Sequence, residues 1–137
     1  MICILIFFLD DARSVKDVTW VELPFVTWTV VRSYDEFVST INSRGLPEHV
    51  SFDSDLHESH YSLYIKCVQE GRINFPYDSC SPKTGWHCAK WLREYCLDKG
   101  LRLPHYTIHT LNRYAQIDIK LILSFNVTTV KLNQQIQ

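Results

Sequence analysis

The feature that most constrains this chain is an unbroken apolar run, residues 2–9, that ends abruptly at Asp10 and Asp11. Eight apolar residues are too few to cross a bilayer, and the run has neither the basic leader nor the small-residue cleavage site of a signal peptide. A short run that is apolar at every position is typical of a strand covered on both faces of a parallel sheet. The sequence therefore predicts an α/β fold with this run as a central strand.

Strand-like and helix-like segments alternate along the rest of the chain. Residues 28–31, 49–52 and 106–108 are short and rich in β-branched or aromatic residues, which favours strands. Helices are predicted after the N-cap residues Ser33 and Asn112 and from residue 83 to about 99, with Gly45 and Gly100 as stop signals. Such alternation predicts an α/β sandwich with mostly parallel strands and right-handed crossovers.

Three segments fall outside this alternation. Residues 12–24 show no helical period and are interpreted as a loop. Residues 57–82 are interpreted as an insert after the third strand, in which 61–68 could form a helix and 71–82 a loop. Residues 127–132 are a candidate edge strand, and 133–137 are expected to fray. The whole chain, 1–137, is interpreted as one domain.

Composition narrows the function classes. The chain is 46% hydrophobic and 21% charged with a formal net charge of −1, so it has no long-range attraction to a membrane or to a long nucleic-acid duplex. Its five cysteines form no CxxC pair, and their number is odd. We expect reduced thiols and a cytoplasmic location. The oligomeric state stays open.

Polar residues follow three of the predicted strands. Asp10 and Asp11 follow the first, Asp53 and Asp55 follow the third, and His109 ends the last, with Asn112 close behind it. Ligands in parallel sheets bind outside the carboxyl ends of the strands. If these strands are neighbours, four carboxylates meet at one rim.

Carboxylates packed this closely repel one another, so they must share protons or bind a cation. A hard divalent ion such as Mg²⁺ suits an all-oxygen cluster and retains waters that a phosphate can displace. Arg13 could pair with a phosphate oxygen in bidentate fashion. Each residue also has an ordinary structural interpretation: the aspartates as turn or cap residues, His109 as a partly buried strand end, Asn112 as a helix cap, and Arg13 as a balance for the acids.

Five sequence blocks carry a resemblance to a known family. They are LDDAR (9–13), WTVVRSYDEF (28–37), LPEHVSFDSDL (46–56), KTGWHCAKWL (83–92) and IHTLN (108–112). In this order and register the chain resembles the cyclic-phosphate processing receiver-like family, whose members show LDDxR, VVRSFDE, SFDHDL, TGxDxAKWL and VHSxNPxG. The match covers roughly residues 4–112.

The resemblance implies a divergent receiver fold, which is a three-layer, flavodoxin-like sandwich that keeps the acidic pocket of response-regulator receivers. It implies an action on cyclic phosphates in place of phosphorelay, in nucleic-acid repair and in phage–host conflict. The chain departs from the pattern at Ser54, where the family has histidine, and at His87 or Cys88, where it has an acid. It also lacks the proline and glycine that the family shows after Asn112.

The leading functional hypothesis is metal-assisted hydrolysis of a cyclic phosphodiester, either a 2′,3′-cyclic phosphate RNA end or a cyclic nucleotide. Asp10, Asp11 and Asp53 are expected to hold Mg²⁺ or Mn²⁺. Asp53 and Asp55 are the predicted catalytic carboxylates, with Asp55 orienting or deprotonating water. His109 is predicted to protonate the departing oxygen. The predicted phosphate-binding groups are Arg13, Thr84, Gly85 and Asn112.

Four alternatives remain open. One is a binding protein that sequesters a nucleotide signal, with Tyr61, Tyr64, Phe75, Tyr77 and Trp86 as candidate base-stacking residues. Another is a phosphoacceptor receiver that uses Asp53. The third is a two-histidine phosphoesterase built on the HxS/T patterns at His57 and His105. The last is a zinc site formed by Asp55, His57 and His60.

Overall fold

The computed structural model describes residues 4–124. In that range the strands are β1 Ile6–Leu9, β2 Thr29–Val31, β3 His49–Phe52 and β4 His105–Ile108. The helices are α1 Tyr34–Arg44, α2 Glu58–Gln69, α3 Gly85–Lys99 and α4 Arg113–Leu123, and two 3₁₀ turns occupy Val15–Asp17 and Tyr77–Ser79. The predicted edge strand at 127–132 and the predicted frayed tail at 133–137 lie outside the described residues.

The four described strands form one all-parallel sheet in the order β2-β1-β3-β4. Phe8 of β1 pairs in register with Val30 of β2 and with Ser51 of β3, and Ser51 in turn pairs with Thr107 of β4. The predicted parallel α/β architecture is confirmed, and it is consistent with a receiver-like, flavodoxin-like fold. Because β1 and β3 are neighbours, their carboxyl ends bring the segments after Leu9 and Phe52 side by side.

The helices pack against one face of the sheet. Phe7 of β1 meets Phe37 of α1 edge to face, with ring centroids 5.8 Å apart, and Phe37 also contacts Phe52 of β3 and Trp91 of α3. All three phenylalanines are fully buried. Each such ring contributes about 2 kcal/mol through the area it removes from water, so this face supplies most of the core.

The opposite face is covered by the non-helical segment between β1 and β2. Trp28 packs edge to face on Phe8 and on His49, at centroid distances of 6.1 and 5.7 Å. Trp20 Nε1 donates a hydrogen bond to the His109 carbonyl oxygen at 2.9 Å. The loop predicted at residues 12–24 is confirmed, with one short 3₁₀ turn inside it. Trp20 and Trp28 of this segment therefore pack near Phe8, His49 and His109.

Local signals place the helix ends. Ser33 Oγ accepts from the Glu36 amide at 3.1 Å, and Asn112 Oδ1 accepts from the Ala115 amide at 3.2 Å, which confirms both predicted N-caps. Gly100 ends α3 in the left-handed conformation, with φ of 66°. The predicted start at residue 83 is two residues early, because Thr84 caps α3 and Gly85 begins it.

Residues 57–82 contain one helix and one 3₁₀ turn and contribute a few buried side chains to the core. Helix α2 occupies Glu58–Gln69 and is longer than the helix predicted at 61–68. The loop that follows buries Phe75 and Tyr77, and Tyr77 donates a hydrogen bond from its hydroxyl to Asp118 Oδ2 at 2.6 Å. Whether this segment is an insert relative to the family stays a prediction.

Among the described helices, none combines the length and the apolar character needed to span a membrane. The four cysteines of the described range, Cys67, Cys80, Cys88 and Cys96, carry free thiols.

Candidate active site

A cavity of about 420 Å³ opens at the carboxyl ends of β1 and β3. Five predicted site residues line it, together with six others: Asp10, Asp11, Arg13, Asp53 and Asp55, then Ala12, His57, Glu58, Tyr61, Tyr64 and Leu111. The sheet order therefore brings together acids that are more than forty positions apart in the sequence.

Asp10 is the first residue after β1, and its side chain is fully buried. Its Oδ1 accepts hydrogen bonds from the amides of Ala12 and Arg13 at 3.0 and 2.8 Å, so the chain folds back around the carboxylate. Burial raises the pKa of Asp10, but the hydrogen bond from His109 and those from the two amides outweigh it and lower the pKa to about 2. Asp10 is therefore an anion at neutral pH.

Asp53 is the first residue after β3, with 4% of its surface exposed. Its Oδ1 accepts a hydrogen bond from the Ser54 amide at 2.8 Å, and its Oδ2 lies 4.0 Å from Nη1 of Arg13. Burial, followed by the charges of Asp10 and Asp55, raises the pKa of Asp53 to about 8. At neutral pH this carboxyl holds a proton unless a cation compensates its charge.

Asp55 and Asp11 complete the acidic rim. Asp55 Oδ1 accepts a hydrogen bond from Asn112 Nδ2 at 3.1 Å. Burial raises the pKa of Asp55. Partial burial and the negative charge of Asp10 raise the pKa of Asp11, which is more exposed. Asn112 is thus both a helix cap and a partner of Asp55, and its amide lies behind the cavity wall.

Arg13 is the cation at this rim. Its Nη1 lies 3.4 Å from Asp10 Oδ2, and its guanidinium group lies over the Trp20 ring, 5.1 Å from the centroid. Arg32 holds the loop from behind, because its Nη1 donates to the carbonyl oxygens of Asp10 and Arg13 at 3.0 and 2.6 Å. Neither Trp20 nor Arg32 was predicted from the sequence. The position of Arg32 directly after a predicted strand was the sequence signal that could have identified it.

His109 lies behind Asp10 and does not line the cavity. It is fully buried, its Nε2 lies 3.0 Å from Asp10 Oδ2, and its Nδ1 lies 2.7 Å from Ser51 Oγ. Its ring stacks on Phe8 with centroids 4.6 Å apart. Because both ring nitrogens have partners inside the protein, this position argues against the predicted role of His109 as proton donor to a ligand.

Thr84 and Gly85 also lie outside the cavity lining. The Gly85 amide donates to the Ser54 carbonyl oxygen at 2.9 Å, and the Thr84 hydroxyl contacts His87 Nδ1 at 2.9 Å. With the Gly85 amide taken, this helix N-terminus supports the Asp53–Ser54 backbone. The predicted contact of Thr84 and Gly85 with a phosphate is not favoured by this packing.

The imidazole that does line the cavity is His57. It caps α2, with Nδ1 accepting from the Ser59 amide at 3.1 Å. The sequence signals for it were the HxS/T pattern at His57 and Ser59 and the zinc alternative with Asp55 and His60. His105, the other histidine in this pattern, lies at the amino end of β4, whereas His57 follows the carboxyl end of the parallel neighbour β3, so the two-histidine phosphoesterase interpretation is wrong.

The zinc alternative also fails on geometry. His60 Nδ1 accepts from the Leu56 amide at 3.0 Å, and its Nε2 hydrogen-bonds to the Pro82 carbonyl oxygen. Both nitrogens of His60 are therefore engaged by backbone. Asp10, Asp53 and His109 each offer one potential ligand atom, and these atoms lie within 4.8 Å of one another.

The donor chemistry of the rim fits a hard divalent cation. The available ligand atoms on the cavity side are carboxylate oxygens, which Mg²⁺ and Mn²⁺ prefer. The pKa of Asp53, raised to about 8, identifies a buried carboxyl that would be ionised by a cation at neutral pH. No cysteine is among the described residues that line this cavity.

Comparison with curated proteins and with solved structures found no significant match. The family model described as the cyclic-phosphate processing receiver domain matches residues 5–124. That match covers most of the chain, including every residue that lines the cavity. The chain belongs to the cyclic-phosphate processing receiver domain family.

Proposed function

We propose that this chain is a metal-dependent phosphoesterase that opens cyclic phosphates, either 2′,3′-cyclic phosphate RNA ends or a cyclic nucleotide signal. The observation that carries the proposal is the pairing of Asp10 with Asp53 beneath an open cavity. Two buried carboxyls with pKa values of about 2 and about 8 hold one negative charge at neutral pH and would hold two beside a cation. Family membership supports the coarser statement, a role in cyclic-phosphate processing.

Asp10, Asp11 and Asp53 are the residues that would hold the cation, Mg²⁺ or Mn²⁺. When bound, this ion supplies positive charge to the phosphoryl oxygens and favours ionisation of a nearby water. The fixed scaffold is already assembled, because Asp10 is held by two backbone amides and Asp53 by the Ser54 amide. Such preorganisation reduces the reorganisation that the site must undergo during the reaction.

Arg13 is the proposed phosphate-binding residue. It lies beside Asp10 and Asp53, lines the cavity and is about one-third exposed, so a ligand can reach its guanidinium group. A planar guanidinium group can donate two parallel hydrogen bonds to a phosphate. Trp20 stacks on it and limits the orientations it can adopt.

Asp55 is the proposed general base. Its pKa is raised by burial, which makes it a better proton acceptor, and Asn112 fixes one of its oxygens. Hydrolysis forms a P–O bond to the water oxygen and breaks one ring P–O bond. The proton that Asp55 takes from water balances the proton that the departing oxygen receives. His57, the imidazole that lines the cavity, is the proposed donor of that second proton.

The test is Asp53→Asn, compared with Asp98→Asn as a matched control. Asn keeps the hydrogen bond to the Ser54 amide but carries no charge, while Asp98 is exposed near the far end of α3. Each protein is incubated with Mn²⁺ and with 2′,3′-cyclic or 3′,5′-cyclic nucleotides, and the opened monoester is quantified. Loss of at least 100-fold in Asp53→Asn alone is expected; full turnover in that variant refutes the assignment.

A second candidate is a binding protein that sequesters a cyclic nucleotide without opening it. Tyr61, which is 59% exposed, and Tyr64 line the cavity and could stack on a base. Of the other predicted stacking residues, Phe75 and Tyr77 are buried, and Trp86 stacks on Tyr77 with centroids 4.4 Å apart, which is core packing. Recovery of intact nucleotide after denaturing the complex favours sequestration, and recovery of the monoester favours the enzyme.

The phosphoacceptor alternative would use Asp53 beside Asp10. No lysine is among the described residues that line the cavity, so a phosphoryl group on Asp53 would have only Arg13 as a cationic partner. Incubation with a small phosphodonor, followed by mass measurement, tests this alternative directly.

A further inference from the structure

We propose that Ser51 and His109 are positioning residues, which fix one oxygen of Asp10 in the direction in which it meets a cation. Ser51 holds the His109 ring from behind through Nδ1, so that the opposite nitrogen, Nε2, donates to Asp10 Oδ2. The part of this inference that concerns the cation rests on the proposed function. The placement of the protons does not.

The contacts define where the protons lie. Two backbone amides donate to Asp10 Oδ1 and Arg13 Nη1 donates to Oδ2, so this side chain is surrounded by donors and acts as an acceptor, and His109 Nε2 at 3.0 Å carries the proton. Within the described residues, the Ser51 hydroxyl has one hydrogen-bond partner, His109 Nδ1, so its hydrogen is directed there. Nδ1 therefore accepts from the Ser51 hydroxyl at 2.7 Å. All three groups thereby form a single directed chain of hydrogen bonds.

The surroundings of this chain permit no other arrangement. Ser51, His109 and Asp10 are each completely excluded from solvent. Phe8 stacks against the imidazole at an interplanar angle of 7°, which fixes the plane of the ring. Trp20 closes the same side by donating to the His109 carbonyl oxygen. The ring cannot turn toward the cavity without losing both of its hydrogen bonds.

This chain of hydrogen bonds matters because the two oxygens of Asp10 have different partners. Oδ1 already accepts from two backbone amides, which anchor the loop that carries Arg13. Oδ2 accepts from His109 Nε2 at 3.0 Å and, more weakly, from the partly exposed Arg13 Nη1 at 3.4 Å. A cation would therefore bind Oδ2 in the direction that Arg13 now occupies, and the buried hydrogen bond from His109 fixes that direction. Partners of this kind behind a metal ligand typically change metal affinity 10- to 100-fold when removed.

The experiment measures Mn²⁺ affinity and the His109 tautomer in the full chain. Ser51→Ala removes the hydroxyl behind His109. Thr107→Val is the matched control, because Thr107 is the register neighbour of Ser51, and its hydroxyl bonds another imidazole, His49 Nε2, at 3.2 Å. We expect Mn²⁺ to bind 10- to 100-fold more weakly in Ser51→Ala and within about 3-fold of wild type in Thr107→Val.

A second pair of variants separates positioning from proton donation. His109→Gln retains an N–H donor near the Nε2 position, while His109→Leu has none. We expect Mn²⁺ affinity to survive largely in the Gln variant and to fall 10- to 100-fold in the Leu variant. Nitrogen NMR of the wild type at neutral pH should identify Nε2 as the protonated ring nitrogen, and Ser51→Ala should shift the Nδ1 resonance, because Nδ1 loses its hydrogen-bond donor.

Three results would overturn the inference: a proton on Nδ1 in the wild type, unchanged Mn²⁺ affinity in Ser51→Ala, or equal losses in Ser51→Ala and Thr107→Val. Failure of the proposed function has a different signature. A wild-type protein that binds Mn²⁺ but opens no cyclic phosphate contradicts the enzyme and leaves the positioning role supported. A protein that binds no Mn²⁺ contradicts both the cation site and the part of the inference that depends on it.

Discussion

Gly85 packs so closely on the backbone of Asp53 that a Cβ atom at position 85 would lie 1.7 Å from the Asp53 carbonyl oxygen. The same glycine donates its amide hydrogen to the Ser54 carbonyl oxygen. The start of α3 and the end of β3 are thus in direct backbone contact. The position of the Asp53 carboxyl depends on the absence of a side chain at residue 85.

We therefore expect Gly85→Ala to move the Asp53–Ser54 segment or the start of α3. Neither atom in the clash is the end of a flexible side chain, so relaxation requires a backbone shift. The variant should lose about 3 kcal/mol of unfolding free energy, the upper part of the range for overpacked sites. Urea denaturation measures this loss, and Mn²⁺ affinity should fall with it.

Gly100→Ala is the control for this substitution. Gly100 has φ of 66°, and a Cβ there would meet no atom within 4 Å, so its cost is backbone strain of about 1 kcal/mol far from the cavity. Stability should fall in this variant without a change in Mn²⁺ affinity. Equal cation affinity in Gly85→Ala and Gly100→Ala would contradict the coupling between α3 and Asp53.

The raised pKa of Asp53 predicts how stability depends on pH without a cation. The folded state keeps a proton up to about pH 8, while the unfolded state loses it near 3.8, so folding binds a proton between these values. Stability should therefore fall as pH rises from about 4 to about 8, by a total on the order of a few kcal/mol. Chemical denaturation in EDTA across this range measures the slope.

Asp53→Asn should flatten this slope, because its side chain does not titrate. Asp55 and Asp11, whose pKa values are also raised, should leave a smaller slope of the same sign. Asp10, with its pKa lowered to about 2, contributes stability that is lost only below about pH 4. Mn²⁺ should stabilise the wild type more at pH 8 than at pH 5; a cation effect independent of pH would argue against binding through Asp53.

Sequence reasoning placed Asp10 and Asp53 together because the carboxyl ends of neighbouring parallel strands always share an edge. It could not predict the direction of the His109 side chain, since a strand-end histidine can face either side of the sheet. The stacking of its ring on Phe8 shows which side it faces. The role of Ser51 depends on that same packing. The Gly85 contact depends on how closely α3 approaches β3, a distance that no local pattern encodes.

His57 provides a test of proton donation. We expect His57→Asn to preserve the N-cap of α2, because an Asn oxygen can accept from the Ser59 amide as the imidazole now does. The free energy of unfolding should change by less than about 1 kcal/mol. Turnover of a cyclic nucleotide should fall 10²- to 10⁴-fold, the usual contribution of a general acid.

His57→Gln is the comparison variant at this position. Its longer side chain is a poorer N-cap, so this variant should lose stability as well as turnover, whereas His57→Asn should lose turnover alone. Rescue of turnover in His57→Asn by added imidazole would support proton donation. Wild-type kcat in His57→Asn would remove His57 from the mechanism and return attention to solvent water as the proton source.

Trp20 makes two contacts that should be separable by mutation. Its ring lies under the Arg13 guanidinium group, and its Nε1 donates to the His109 carbonyl oxygen. Trp20→Phe keeps an aromatic face and removes the donor, while Trp20→Ala removes both. A stacked cation–π contact at a partly exposed site contributes about 0.5–1 kcal/mol, so we expect inorganic phosphate to bind about 2- to 5-fold more weakly in Trp20→Ala than in Trp20→Phe.

A double-mutant cycle with Arg13→Gln assigns this effect to Arg13. If Trp20 acts by holding the guanidinium group, Trp20→Ala should cost little further phosphate affinity once Arg13 is replaced, because the group it orients is gone. Mn²⁺ affinity should change much less than phosphate affinity in the single variants, since neither residue is a proposed cation ligand. Additive losses across the cycle would mean that Trp20 stabilises the loop as a whole, and the orientation of Arg13 would then depend on Asp10 and Asp53 alone.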